Sequence, residues 1–214
     1  MAFEIMDLGL LDYQKALDLQ QQYVAQKKTQ TLKTDVILML EHPAVFTLGK
    51  RGGRENLVIS EAFLKEQGIP VVQTGRGGNI TFHGPGQLVV YPIMDLDRAR
   101  MGVADFVHLL EEIMIKMAGD AGVTAQRSAA NHGIWVKNRK LGSIGLSITR
   151  GISFHGLALN VNLDLTPFTW MNPCGLAGVS MTSLENELHQ KSPEATVSMP
   201  TVKNNFIHHF TNAI

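Results

Sequence analysis

The sequence predicts a mixed α/β domain of the α+β type, one domain over residues 1–214, with mixed β-sheets packed by helices. Three features carry that prediction. Strand-like stretches gather on either side of one long amphipathic helix, without the regular strand–helix alternation of a parallel sheet. No repeat, low-complexity tract or linker divides the chain, and 214 residues suffice for one sizeable core. A stretch with five glycines in thirteen residues, Gly75 to Gln87, stands between the apolar runs Ile69 to Val72 and Leu88 to Tyr91. It therefore reads as a tight loop held on a sheet rather than as a flexible linker.

Residues 3–9 open the chain as a strand. Asp12 then caps a helix to about Gln26, with Tyr13, Ala16, Leu17 and Val24 on one face and Gln20, Gln21, Gln22 and Lys27 expected in solvent. Asp35 to Leu40 is a buried strand, and Glu41 to Gly49 a proline-broken extended segment ending in a turn. Lys50 to Arg54 is a short basic loop. Ser60 caps a short helix, 61–67, closed by Gly68. Val71 to Gln73 leads into the glycine-rich loop, whose backbone N–H groups, with Arg76, Thr81, His83 and Gln87, offer donors to an anion or a carbonyl. Leu88 to Met94 is a strand in which Pro92 argues for an edge or a bulge. The strongest helix is 103–118, where Val103, Phe106, Val107, Leu110, Ile113, Met114 and Met117 form one stripe. His108 and the Glu111-Glu112 pair lie off it and are expected at the surface. Residues 130–145 form a hairpin turning at Asn138-Arg139. Phe154 to Leu163 alternates, with Leu157, Leu159, Val161 and Leu163 on one face. Met171 to Gly175 is a turn, 176–200 is irregular with a short helix at 182–189, and a last amphipathic helix at 201–211 uses Val202, Phe206, Ile207 and Phe210.

Composition narrows the function. Apolar residues make up 44% and charged residues 18%, and nineteen basic side chains balance nineteen acidic ones. That balance argues against a bulk nucleic-acid binder. No apolar run approaches the roughly 18 residues of a membrane span. The start has no secretory pattern, and a lone cysteine forms no internal disulfide, so the expectation is a cytoplasmic protein.

Cys174 is the lone thiol. Most such cysteines are small buried hydrophobes. This one follows Asn172-Pro173 and precedes Gly175, a tight-turn setting that can hold a side chain at the rim of a sheet. As a nucleophile it needs its pKa lowered from about 8.5 to near 7, roughly 2 kcal/mol. One ammonium about 4 Å away supplies that order of energy. Lys140 stands beside the small-residue segment Gly142 to Gly145, and spacing alone leaves it either that ammonium or a solvated surface charge. His42, His83 and His155 lie in loops or at strand ends with small neighbours. No metal-ligand cluster, Walker loop or dinucleotide fingerprint is present in the sequence.

Four blocks together are specific. Arg76-Gly77-Gly78-x-x-Thr81-x-His83-Gly84-Pro85-Gly86-Gln87, Lys140-x-x-Ser143-x-Gly145, His155-Gly156-Leu157-Ala158-Leu159-Asn160 and Asn172-Pro173-Cys174-Gly175 closely resemble the octanoyltransferases of lipoate biosynthesis, also called lipoyl(octanoyl) transferases. The resemblance runs from about Leu8 to about Leu188, and residues 189–214 carry no matching motif. It implies a fold like the catalytic domain of biotin- and lipoate-protein ligases. It implies transfer of an octanoyl group from acyl carrier protein to a lysine of lipoyl domains, those of 2-oxoacid dehydrogenase complexes and the glycine cleavage H protein. Cys174 matches the nucleophile and Lys140 the residue that lowers its pKa. Arg76, Gly77, Gly78, Asn79, Ile80, Thr81, Phe82, His83, Ser143, Ile144, Gly145, Gly156, Leu157 and Ala158 match the acyl-binding positions. His42 and His155 are candidates for positioning the reacting groups.

The same resemblance carries the expectations of no cofactor, no metal, no nucleic-acid or membrane partner, and a monomer. Two other readings stay open: an ATP-dependent lipoate- or biotin-protein ligase, and a non-catalytic module that binds an acyl carrier. Acidic partners would need local basic surface, for which Lys50, Arg51 and Arg54 form one candidate and Arg98 and Arg100 another.

Overall fold

A computed structural model describes residues 2–129, 131–172 and 179–214. The large sheet begins with β1 (Phe3–Leu10), β2 (Asp35–Glu41) and β6 (Gln87–Ile93), and continues through β10 (Ile152–Asn160), β9 (Arg139–Thr149), β8 (Gly133–Val136) and β7 (Gln126–Arg127). β1 is parallel to β2 and the other neighbours in that order are antiparallel. β11 (Ser180–Met181) adds to β9 in parallel. A small sheet holds β3 (Val45–Leu48) between β4 (Val71–Gln73) and β5 (Ile80–His83). β5 arises inside the glycine-rich stretch, which is therefore part strand.

Two helices, α3 (Val103–Asp120) and α5 (Met199–Ala213), share one apolar core with the large sheet through Phe106, Leu110, Met114, Phe206 and Phe210. On the opposite face α1 (Tyr13–Lys28) packs Ala16 and Val24 against Val36, Leu38, Val89 and Tyr91. A third core joins the small sheet to α2 (Glu61–Glu66) through Phe46, Leu64, Ile80, Phe82 and Phe168. Local capping follows the residues. Asp12 accepts from the N–H groups of Gln14 and Lys15, and Ser60 from that of Phe63. A second short helix, α4 (Leu184–His189), is capped by Ser183. No helix among the described residues is long and apolar enough to cross a membrane.

Several polar residues differ from their sequence expectation, each because a distant partner reaches it. Lys27 is buried and pairs with Asp35 at 2.6 Å, and Arg98 holds the second oxygen of Asp35 at 2.6 Å. Gln20 is buried, with its Oε1 accepting the N–H of His155 at 2.7 Å. Glu111 is buried beneath the hairpin: its Oε1 accepts from the N–H of Gly133 (2.9 Å), and its Oε2 lies 3.2 Å from Nε of Arg127. Val103 and Ile207, expected on buried stripes, are exposed. The hairpin turns at Lys137-Asn138, one residue before the expected pair.

Pro92 lies not at an edge but in β6, between β2 and β10. Its carbonyl accepts from Oγ of Ser153 on the β10 side, so its missing N–H faces the same way. There the ladder is interrupted. Leu157 pairs with Val90, and pairing resumes only at the Asp95–Ile152 bridge. His155 fills the gap in a left-handed conformation, φ 55°. The proline is tolerated because no ladder bond is asked of it.

Candidate active site

The site is a cavity of about 710 Å³ between the large sheet and the small one. Its floor comes from register. Ala158 pairs with Ser143 and Gly156 with Gly145, so four small residues lie side by side on β10 and β9. A Cβ on Gly156 would stand 2.0 Å from the Val90 carbonyl oxygen, and one on Gly145 3.2 Å from Cδ of Arg76. Only glycine leaves that trough open and the backbone undisturbed. Val89, Ile144, Leu157, Met171 and Met181 supply apolar lining.

The glycine-rich loop roofs the trough. The Gly77 N–H donates to the Leu146 carbonyl (2.8 Å), and Oγ of Ser147 donates to the Gly75 carbonyl (2.7 Å). The N–H groups of Lys50 and Arg51 bind the carbonyls of Arg76 and Gly78 at 2.9 and 3.1 Å. Arg76 is buried, with Nη2 donating to the carbonyl and Oγ1 of Thr47 at 2.6 and 2.8 Å. The N–H groups of Gly77 and Ile80 are already used inside the protein, by Leu146 and by Oδ1 of Asn79.

Of the sequence-matched acyl-binding positions, Arg76, Gly77, Gly78, Asn79, Ile80, Thr81, His83, Ser143, Ile144, Gly145, Gly156, Leu157 and Ala158 all line this cavity. Phe82 does not. On β5 it turns to the other side and packs against Phe46 (5.2 Å between rings) and Phe168 (5.6 Å). Cys174, Pro173 and Gly175 lie outside the described residues, whereas Met171 and Met181, which bracket them in sequence, line the cavity.

Lys140 is buried, contrary to a solvated hairpin charge. β9 is flanked there on both sides. Trp135 pairs with Lys140 from β8 and Met181 from β11, and the Thr182 N–H donates to the Lys140 carbonyl at 2.9 Å. Its ammonium reaches the cavity and donates to Oδ1 of Asn131 at 2.5 Å. It also stands 5.3 Å from the centre of the Trp135 ring. The Asn131 carbonyl in turn accepts from Nε1 of Trp135 (3.3 Å). Neither Asn131 nor Trp135 carried a sequence signal beyond proximity to the hairpin.

A cluster of neutral rings closes the opposite end. Nδ1 of His42 donates to the Leu11 carbonyl (2.7 Å), which leaves Nε2 to accept from the Tyr91 hydroxyl (2.8 Å). Nδ1 of His83 donates to Oε1 of Gln87 (2.7 Å), and the Gln87 amide donates to Oδ1 of Asn160 (2.9 Å). Burial holds His42 down to about 4. It holds His83 well below the usual histidine range, with the neighbouring His42 adding to the effect. Burial, then the charges of Arg76 and Lys50, lower His155 to about 3. Burial raises Tyr13 to about 12 and Tyr91 well above its ordinary value. His83 and His155 line the cavity; His42 lies behind Tyr91 and supports it.

A trough floored by small residues and lined by apolar side chains, with the Lys140 amine reaching into it, has the form of a site for an extended apolar chain. The class to which that architecture belongs is shown by comparison. The chain belongs to the family of the lipoyl protein ligase A/B catalytic domain, whose model matches residues 12–211. Lipoate-protein ligase A bound with ATP shares the fold at a TM-score of 0.78, with 16% identity, over 100% of this chain and 85% of that one. The biotin protein ligase of Aquifex aeolicus in complex with biotin and ATP shares it at 0.57, with 10% identity, over 98% and 69%. Within the family, the octanoyltransferase of Desulfotalea psychrophila is 50% identical over 185 residues, 86% of this chain and 83% of that protein. The protein is an acyltransferase of this group, acting in octanoyl transfer for protein lipoylation.

Proposed function

We propose that the protein moves an octanoyl group from octanoyl-acyl carrier protein to a lysine of lipoyl domains, those of 2-oxoacid dehydrogenase complexes and the glycine cleavage H protein, through a thioester on Cys174. The observation that carries this reading is the buried Lys140 ammonium at one end of an apolar trough. In the first step the Cys174 thiolate attacks the octanoyl carbonyl carbon. The bond from that carbon to the pantetheine sulfur breaks, and the carrier thiolate leaves and takes a proton from solvent, matching the one Cys174 released on ionising. One thioester replaces another, so the step is near balanced. In the second step the target lysine nitrogen attacks, the bond to the Cys174 sulfur breaks, and the proton of the amine passes to that sulfur. Formation of the amide draws the reaction forward. The donor arrives activated, so the reading requires neither ATP nor another cofactor.

Lys140 acts as a cation in this account. The Asn131 oxygen and the Trp135 ring are its neighbours there, and a charged neighbour lowers the pKa of a thiol. The basic surface for the carrier is narrowed by pairing. Arg54 is engaged with Glu61, and Arg98 with Asp35 and the Lys33 carbonyl. Lys50, Arg51 and Arg100 are exposed, and of these Arg51 lines the cavity, so the carrier docks on the loop of Lys50 and Arg51.

Incubation with octanoyl-acyl carrier protein and an unmodified lipoyl domain, without ATP, tests the reading. Octanoylated lipoyl domain is the expected product. A product that forms only from free octanoate and ATP, with release of pyrophosphate, identifies a ligase and overturns the proposal.

A further inference from the structure

We infer that His155 sets the length of the acyl chain that the cavity accepts, an inference that rests on the acyl-transfer reading above. His155 lines the cavity beside Gly156 and pairs with Leu146, while Lys140 stands six residues back along β9. His155 therefore stands toward the end of the cavity away from Lys140.

His155 is 1% exposed, and neither of its ring nitrogens has a hydrogen-bond partner among the described residues. Nε2 of the adjacent Gln20 is in the same condition. The histidine backbone is left-handed, φ 55°, a conformation that costs energy in a non-glycine residue and persists where its surroundings impose it. Here the Gln20 bond to its N–H and the interrupted ladder impose it. The ring is packed at 4.9 Å from Phe154 and 6.3 Å from Tyr91, so its direction is fixed.

A buried imidazole is stable when water or another polar group reaches its nitrogens, and hydrocarbon offers neither a donor nor an acceptor. A chain that stops short of the ring leaves room for its hydration. Each longer chain strips the ring and leaves it unsatisfied. Apolar contact discriminates an extra methylene by about 10- to 200-fold, whereas a site whose buried polar groups are left unpaired discriminates more sharply, by up to about 10⁴- to 10⁵-fold.

The test compares kcat/KM for transfer from octanoyl-, decanoyl- and dodecanoyl-acyl carrier protein in the wild type and in His155→Leu and His155→Asn. Leucine removes the polar stop. Asparagine tolerates the left-handed backbone and shortens the stop, so a folded variant is at hand if leucine prevents folding. The readout is the decanoyl-to-octanoyl ratio within each protein, which is independent of the active fraction and so insensitive to a merely structural role. The wild type is expected to favour octanoyl, and the variants to raise the ratio about tenfold. A folded variant that keeps the wild-type ratio overturns the inference. A wild type that transfers no acyl group from any carrier overturns the acyl-transfer reading itself, and this inference with it.

Discussion

Three histidines held neutral inside one cluster make the fold sensitive to mild acid. His42, His83 and His155 are 0%, 6% and 1% exposed. Burial lowers His42 to about 4 and His155 to about 3, and it holds His83 well below the ordinary histidine value. In the unfolded chain each takes up a proton near pH 6.5. Between that pH and about 4 the unfolded state therefore binds up to three more protons than the folded state. Stability is fully present above pH 6.5 and is lost as the pH falls through this window, by up to about 4 kcal/mol per pH unit for three protons. From pH 7.5 to 5.5 the loss is about 4 kcal/mol, a large share of the 5–15 kcal/mol typical of a domain. The lowered carboxylates Asp7, Asp164 and Glu187, with ordinary values of 3.8 to 4.5, titrate below the interval from pH 7.5 to 5.5. Urea denaturation at pH 7.5 and 5.5, at constant ionic strength, measures the difference. His42→Gln, which removes one of the three titrating groups, should reduce the slope by about a third. A stability that changes by less than about 1 kcal/mol over this interval would refute the reasoning.

Three further outcomes follow from the same geometry. Asn131→Leu removes the oxygen that holds the Lys140 ammonium at 2.5 Å, so the thiol should titrate at higher pH and acyl-enzyme formation at pH 7 should slow about tenfold; the pH dependence of iodoacetamide alkylation checks it. Gly156→Ala puts a Cβ 2.0 Å from the Val90 carbonyl oxygen, so the central strands must separate, at a cost of about 1–3 kcal/mol or more, read as a fall in melting temperature. Reversing the charge of Arg51 should raise KM for octanoyl-acyl carrier protein several-fold at low salt and leave KM for octanoyl-pantetheine nearly unchanged, since that donor carries no acidic protein.

Residues that act through local pattern were legible in the sequence, and residues that act through distant partners were not. The stripe on α3 and the alternation on β10 are periodic, and periodicity reports the face turned to the core. Gln20, Lys27 and Glu111 sit where a helix wheel puts solvent. What buries them is an N–H of His155, a carboxylate of Asp35 and an N–H of Gly133, and no helical period encodes those. Lys140 belongs with them. Its strand becomes interior only because residues 180–181 return beside it. The glycine-rich block was legible as a loop against a sheet, but its roles divide: Gly77 and Gly78 line the trough, while Phe82 serves another core. Pro92 suggested a defect in the ladder, and the ladder is interrupted beside it, although the strand is central.

The account turns on whether Cys174 carries the acyl group beside a charged Lys140. Intact-protein mass after mixing with octanoyl-acyl carrier protein, without ATP, tests that most directly. The account predicts a gain of one octanoyl group that hydroxylamine removes and that Cys174→Ala does not acquire. Transfer to a lipoyl domain at the wild-type rate by Cys174→Ala, with no adduct in either protein, would contradict it.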